Sequence, residues 1–153
     1  MKRFIVTTIL TAVIASVLTY FMPRSFETYL NKFGCDATVT ISCRQTDLDS
    51  VDTGFGVQVQ CLASDFSATA AKCQNVDGVS VSFDGCYEDV LALIKFFKLQ
   101  VSSEFEQGGL YAVSGKSSKI SGGVTVDGKV VNLQIAYKDG LVHLGSPLIL
   151  GDY

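Results

Sequence analysis

The chain predicts an α+β fold: an N-terminal transmembrane helix, then a mostly antiparallel β-meander domain with one amphipathic helix packed on its apolar face. Three observations carry that expectation. Residues 4–22 contain no charge, between Lys2-Arg3 and Pro23-Arg24. Several later segments alternate apolar and polar residues at the period of a strand, with Asp-Gly pairs between them. One stretch, residues 87–99, is apolar around more than half of a helical circumference, so something must cover it.

The uncharged run is long enough to span a bilayer, since about 20 apolar residues cross the hydrocarbon core. Lys2 and Arg3 beside it favour a cytoplasmic N-terminus. A cleavable signal peptide is the competing reading, with residues 4–12 as its apolar region and Val13-Ile14-Ala15 before Ser16 as the cleavage site. The run continues through Val17, Leu18, Tyr20, Phe21 and Met22, which favours an uncleaved anchor. The expected organisation is therefore a signal-anchor helix, 1–23, and a β-rich domain, 24–153, on the periplasmic or extracellular side. Asn31, Asn75 and Asn132 all lack a glycosylation pattern, which suits a bacterial envelope.

A single core suits about 130 residues. Residues 24–153 carry ten basic and fifteen acidic side chains. That balance argues against nucleic acid as a partner and against electrostatic docking on anionic lipid. Five cysteines (Cys35, Cys43, Cys61, Cys73 and Cys86) fall in the first half of this domain, and outside a membrane such cysteines pair. Cys35 and Cys43 flank a strand whose extended length exceeds the roughly 7 Å between bridged Cα atoms.

Residues 37–44 place Ala37, Val39, Ile41 and Cys43 on one face, and residues 55–61 do the same with Phe55, Val57, Val59 and Cys61. Pairing Ile41 with Val57 and Val39 with Val59 sets Ala37 opposite Cys61, and makes Cys35–Cys61 the preferred bridge. Residues 66–73 and 79–83 read as a hairpin around Asp77-Gly78, with a one-residue bulge. Cys73–Cys86 is then the second bridge and Cys43 a buried spare thiol. Residues 87–99 read as a helix capped by Asp84, with Glu88 and Asp89 early and Lys95 and Lys98 late, as the helix dipole prefers. Residues 110–116 add a strand. Asp127-Gly128 and Asp139-Gly140 are two-residue hairpin turns. Together they put Val124, Val131, Leu133, Ile135, Tyr137, Val142, Leu144 and Leu148 on one face, with Asn132, Gln134, Lys138 and His143 on the wet one. Residues 24–34 continue from the anchor, with Phe26, Tyr29, Leu30 and Phe33 at helical spacing.

Catalytic and cofactor signatures are poor. His143 is the sole histidine and faces solvent without a partner for general-base work. Gly115-Lys116-Ser117 ends like a phosphate loop, but Leu110 stands where that motif needs glycine. Asp47, Asp49 and Asp52 miss the calcium-loop pattern, since Val51 and Asp52 occupy its fifth and sixth places. No Cys-x-x-Cys occurs, so no metal or cofactor is expected. The expectation is a non-enzymatic, membrane-anchored module that meets a protein partner in a cell-envelope assembly. The partner or lipid would face Leu91, Phe96, Phe97 and Leu99 on the greasy helix. The alternative is a hydrophobic-ligand or lipid-handling protein. The closing order of strand, Asp-Gly, strand, Asp-Gly, strand loosely resembles the β-groove segments of envelope lipid-transfer and AsmA-like proteins, over the last third of the chain and without a specific motif.

Overall fold

The computed structural model describes residues 24–150, so the expected anchor at 1–23 lies outside the described residues. Among those described, no helix is long and apolar enough to cross a membrane. The chain runs through a 3-10 turn, Phe26–Lys32, then β1 (Thr38–Thr46), β2 (Val51–Asp52) and β3 (Val57–Leu62). A short α1 (Phe66–Ala70) precedes β4 (Cys73–Asp84), and α2 (Tyr87–Phe97) follows it. Next come β5 (Leu99–Gln107), β6 (Leu110–Ser117), β7 (Val124–Val126), β8 (Lys129–Val131), β9 (Leu133–Lys138) and β10 (Leu141–Ser146). Eight strands form one sheet in the order β2-β3-β1-β4-β10-β9-β6-β5, and β7 pairs with β8 alone. Every strand pairing is antiparallel.

Alternation in the sequence becomes rows across the sheet. Cys61, Val39, Val81, Leu144, Ile135 and Val113 align from β3 to β6 on one face. Between β4 and β5 the chain must cross three strands, and α2 makes that crossing over the same face. Its Val90 and Phe97 are fully buried there with Leu133 and Val142. Burying each such side chain stabilises by about 1.5–3 kcal/mol. Phe26 and Leu30 of the 3-10 turn join this core. The opposite face carries small and polar residues, including Thr40, Ser80 and Ala136. Ile149 crosses back beside it, its N–H donating to Gln134 Oε1 at 3.0 Å.

Several expectations hold at the level of register. Val124 faces Val131, Tyr137 faces Val142, and Ile135 faces Leu144. Asp127 and Asp139 take the left-handed conformation (φ 49° and 51°) that such a turn demands. The continuous meander does not form, however. β7 and β8 stand apart because Asn132, expected on the wet face, is buried and ends the pairing. Its side chain accepts from Ser117 N–H at 2.6 Å and donates to the carbonyls of Ser117 and Ile120 at 3.0 and 2.7 Å. Val124 and Leu148 are accordingly exposed rather than in the core.

Other expectations are corrected by pairing beyond the reach of local signals. Ile41 faces Val59 and Val39 faces Cys61, two residues from the expected register. The miniature β2 pairs with the other edge of β3, with Thr53 N–H bonded to Gly56 O at 2.9 Å. Phe55 sits in the resulting turn, fully exposed. The expected hairpin over 66–73 and 79–83 is replaced by α1 and one long β4. Asp77-Gly78 marks a bulge against Ser42 and Cys43 instead of a turn. Helix α2 is capped by Cys86, not Asp84: the Cys86 N–H donates to Asp89 Oδ2 at 2.8 Å. It stops at Phe97 because Lys98 turns left-handed (φ 49°), and Leu99, expected as the last helical residue, opens β5.

Candidate functional site

The four residues expected to face a partner divide into two pairs. Leu91 is 47% exposed and Phe96 36%. Phe97 and Leu99 lie in the core, which corrects their assignment. The helical period explains the first: Val90 and Phe97, seven residues apart, turn inward together, leaving Leu91 and Phe96 on the outer side. Leu99 belongs to β5, opposite Ser117.

The C-terminal end of α2 meets two other segments. Ser117 Oγ donates to Phe97 O at 2.6 Å, and Lys119 N–H donates to Ser117 Oγ at 3.1 Å. Arg24 is then held by backbone bonds on both sides, its N–H to Lys119 O at 2.8 Å and its carbonyl to Ser121 N–H at 2.9 Å. Tyr29 packs edge-on against Phe96 and Phe97, with centroids at 6.0 and 5.2 Å. Lys119 Nζ stands 3.9 Å from the centroid of Phe96 and Lys32 Nζ 5.5 Å, so two ammonium groups attend one half-covered ring. An aromatic and basic corner thus forms where the described chain begins.

The outer strand β5 is the second notable surface. It is nine residues long and has a neighbour, β6, on one side only. Val101 and Phe105 on it are 46% and 48% exposed. Glu104 accepts from Tyr111 Oη at 2.8 Å. Burial first, and Glu104 second, push the Tyr111 phenol above its ordinary pKa. Sequence reading missed this edge because Leu99 reads as part of the helical apolar run before it.

All five cysteines are free thiols in this structure. The corrected register places Cys61 beside Val39, while Cys35 lies outside β1 in the turn closed by the Ala37 N–H to Gly34 O bond at 3.4 Å. Cys73 opens β4 and Cys86 lies two residues past its end, so about 40 Å of extended chain separates them. Neither expected bridge fits this geometry. Cys43 is buried; burial and its neighbour Cys73 raise its pKa to about 11.

His143 has a partner that the sequence did not reveal: its Nδ1 lies 2.8 Å from Ser82 Oγ on the adjacent strand. Burial first, and the charge of Lys138 second, lower its pKa. Serine hydrolases use Nδ1 to orient the ring and the other nitrogen to take the nucleophile's proton. The Ser82 contact therefore places the hydroxyl on the orienting side. Among the described residues, no three His, Cys, Asp or Glu side chains gather as metal ligands. Comparison with protein-family models, curated proteins and solved structures returned no match.

Proposed function

We propose that the chain is a membrane-anchored, extracytoplasmic protein-interaction module of a cell-envelope assembly, without catalytic activity. The observation that supports it most is the outer edge of β5, which among the described residues has no strand beside it, although it is bulged at Ser102, whose carbonyl accepts from Lys129 Nζ at 3.4 Å. A nine-residue strand with exposed Val101 and Phe105 offers backbone donors and acceptors to an incoming strand, and apolar side chains beside them. Self-pairing about Phe105 would set Glu104 of one copy against Glu106 of another. Like charges directly opposite oppose that arrangement, so the reading favours a different protein. A hydrophobic-ligand groove has less support, because Phe26, Leu30, Val90 and Phe97 already fill the sheet's apolar face.

The test is affinity capture of the full chain from detergent extract, beside a Val101→Lys, Phe105→Lys double variant. The proposal expects a stable neighbour on the wild type, its loss from the folded variant, and slowed amide exchange of β5 in the complex. A wild-type capture with no stable neighbour would overturn the reading.

A further inference from the structure

The anionic surface of the bilayer was set aside on composition, and the folded chain changes that argument. We infer that the corner formed by the end of α2, the Phe26–Lys32 turn and residues 117–121 lies on an anionic membrane surface. The inference rests on the membrane-anchored reading above and adds which face of the domain meets the lipid.

Charge is the first support. Arg24, Lys32, Lys95, Lys98 and Lys119 come from three separated stretches of the chain, whereas Lys116 lies on the sheet face opposite α2. Glu27 is the carboxylate on the Phe26–Lys32 turn, and Asp77 lines the same surface depression as Ser25, Glu27 and Ser121. The bonds from Ser117 to Phe97 and from Lys119 to Arg24 draw the three stretches together. Four of these five basic residues are exposed, and Lys119 is half-buried against Phe96. Other acidic residues gather at 47–52, at the start of α2 and on β5, with Asp36 just past the Phe26–Lys32 turn and Asp127 in the β7–β8 turn.

Chain direction is the second support. Arg24 directly follows the uncharged segment 4–22 and Pro23, and its backbone is pinned to Lys119 and Ser121. If residues 4–22 cross the bilayer, these groups leave it first and sit within a few residues of its surface. The third support is the chemistry of the corner. Tyr29 and Phe96 with flanking lysines match the aromatic and cationic side chains that settle at the headgroup level. Past Gly122-Gly123, the β7–β8 hairpin carries exposed Val124, Val126 and Val130, and its Lys129 Nζ donates to Ser102 O at 3.4 Å. Each lysine held near an anionic surface strengthens attachment about fivefold.

The chain lacks tryptophan, so Phe96→Trp supplies a single reporter, and Phe55→Trp at the exposed β2–β3 turn serves as control. The full chain is reconstituted in phosphatidylcholine vesicles with and without 30% phosphatidylglycerol, each with a headgroup-depth quencher. The inference expects quenching of the residue-96 reporter at least twofold stronger with phosphatidylglycerol. That excess should vanish in Lys95→Glu, Lys98→Glu and in 0.5 M salt, where screening length falls to about 4 Å. The reporter at 55 stays unquenched. Because Phe96→Trp could disturb packing against Tyr29, wild-type amide exchange over 94–100 and 115–121 is read in parallel, with slowing expected only on anionic vesicles. Equal quenching and exchange on both lipids, with the chain floating among the vesicles, overturns the inference alone. A chain that does not float overturns the anchored reading beneath it.

Discussion

Replacing Asn132 with alanine tests why the C-terminal third is not one continuous meander. The residue is fully enclosed and makes three side-chain hydrogen bonds, to Ser117 N–H, Ser117 O and Ile120 O. Each is worth about 1 kcal/mol net, and stranding a buried backbone group costs about 1–3 kcal/mol more. A loss of about 3–5 kcal/mol follows, against total stabilities of about 5–15 kcal/mol. At about 3 °C per kcal/mol for a domain of this size, the melting midpoint falls by roughly 10–15 °C. The assay is thermal unfolding of the full chain in detergent, followed by near-ultraviolet circular dichroism. Asn132→Asp sharpens it, because the variant keeps an acceptor for Ser117 N–H but turns a carboxylate on two carbonyl oxygens. Its folded-state pKa then lies above the unfolded value, so its deficit is largest at pH 7 and narrows as pH falls toward 4 and the carboxyl gains a proton to donate. A loss under about 1 kcal/mol for Asn132→Ala, or a pH-independent deficit for Asn132→Asp, would refute the reasoning.

Three further outcomes follow from the same geometry. Gly115→Ala drives a methyl into the Gln100 carbonyl of the neighbouring strand; it should destabilise by about 1–3 kcal/mol in the same melt, as overpacking does, whereas Gly108→Ala meets no atom, and its loss, of about 1 kcal/mol, comes from its left-handed backbone (φ 60°) alone. Cys43, with its pKa raised to about 11 and its side chain buried, should resist alkylation at pH 8 while exposed Cys35 reacts, read by peptide mass spectrometry. His143 should titrate below its ordinary 6.5 in an NMR pH series. Because a depressed imidazole pKa favours the neutral form in the fold, its contribution is complete above 6.5 and is lost as pH falls through the folded value. The acid-side loss of stability should shrink in His143→Gln.

Where neighbours in sequence are neighbours in space, the residues announce the structure. Asp127-Gly128 and Asp139-Gly140 set their hairpins to the residue, and the alternation of 37–44 marks a strand with one buried face. Pairing across distance overrides the remaining signals. Asp77-Gly78 has the same composition as those turns, yet it lies inside β4, where pairing with β1 before and after the bulge keeps the chain running on. Leu99 continues an apolar helical run, and only the left-handed Lys98 separates it into β5. Asn132 reads as a wet strand residue until Ser117 and Ile120 surround it. The basic corner is hidden for a related reason: its charges are spread over three segments of an acidic domain, and only the fold collects them.

The central claim is that residues 24–150 fold outside a membrane that residues 4–22 hold. Labelling of intact cells with a membrane-impermeant maleimide tests it most directly, because Cys35 and Cys86 are exposed and Cys43 is buried. The account predicts label on Cys35 and Cys86 before lysis, on a full-length chain that stays with the membranes after carbonate washing. Label that appears only after lysis, on a chain released into the soluble fraction, would contradict it.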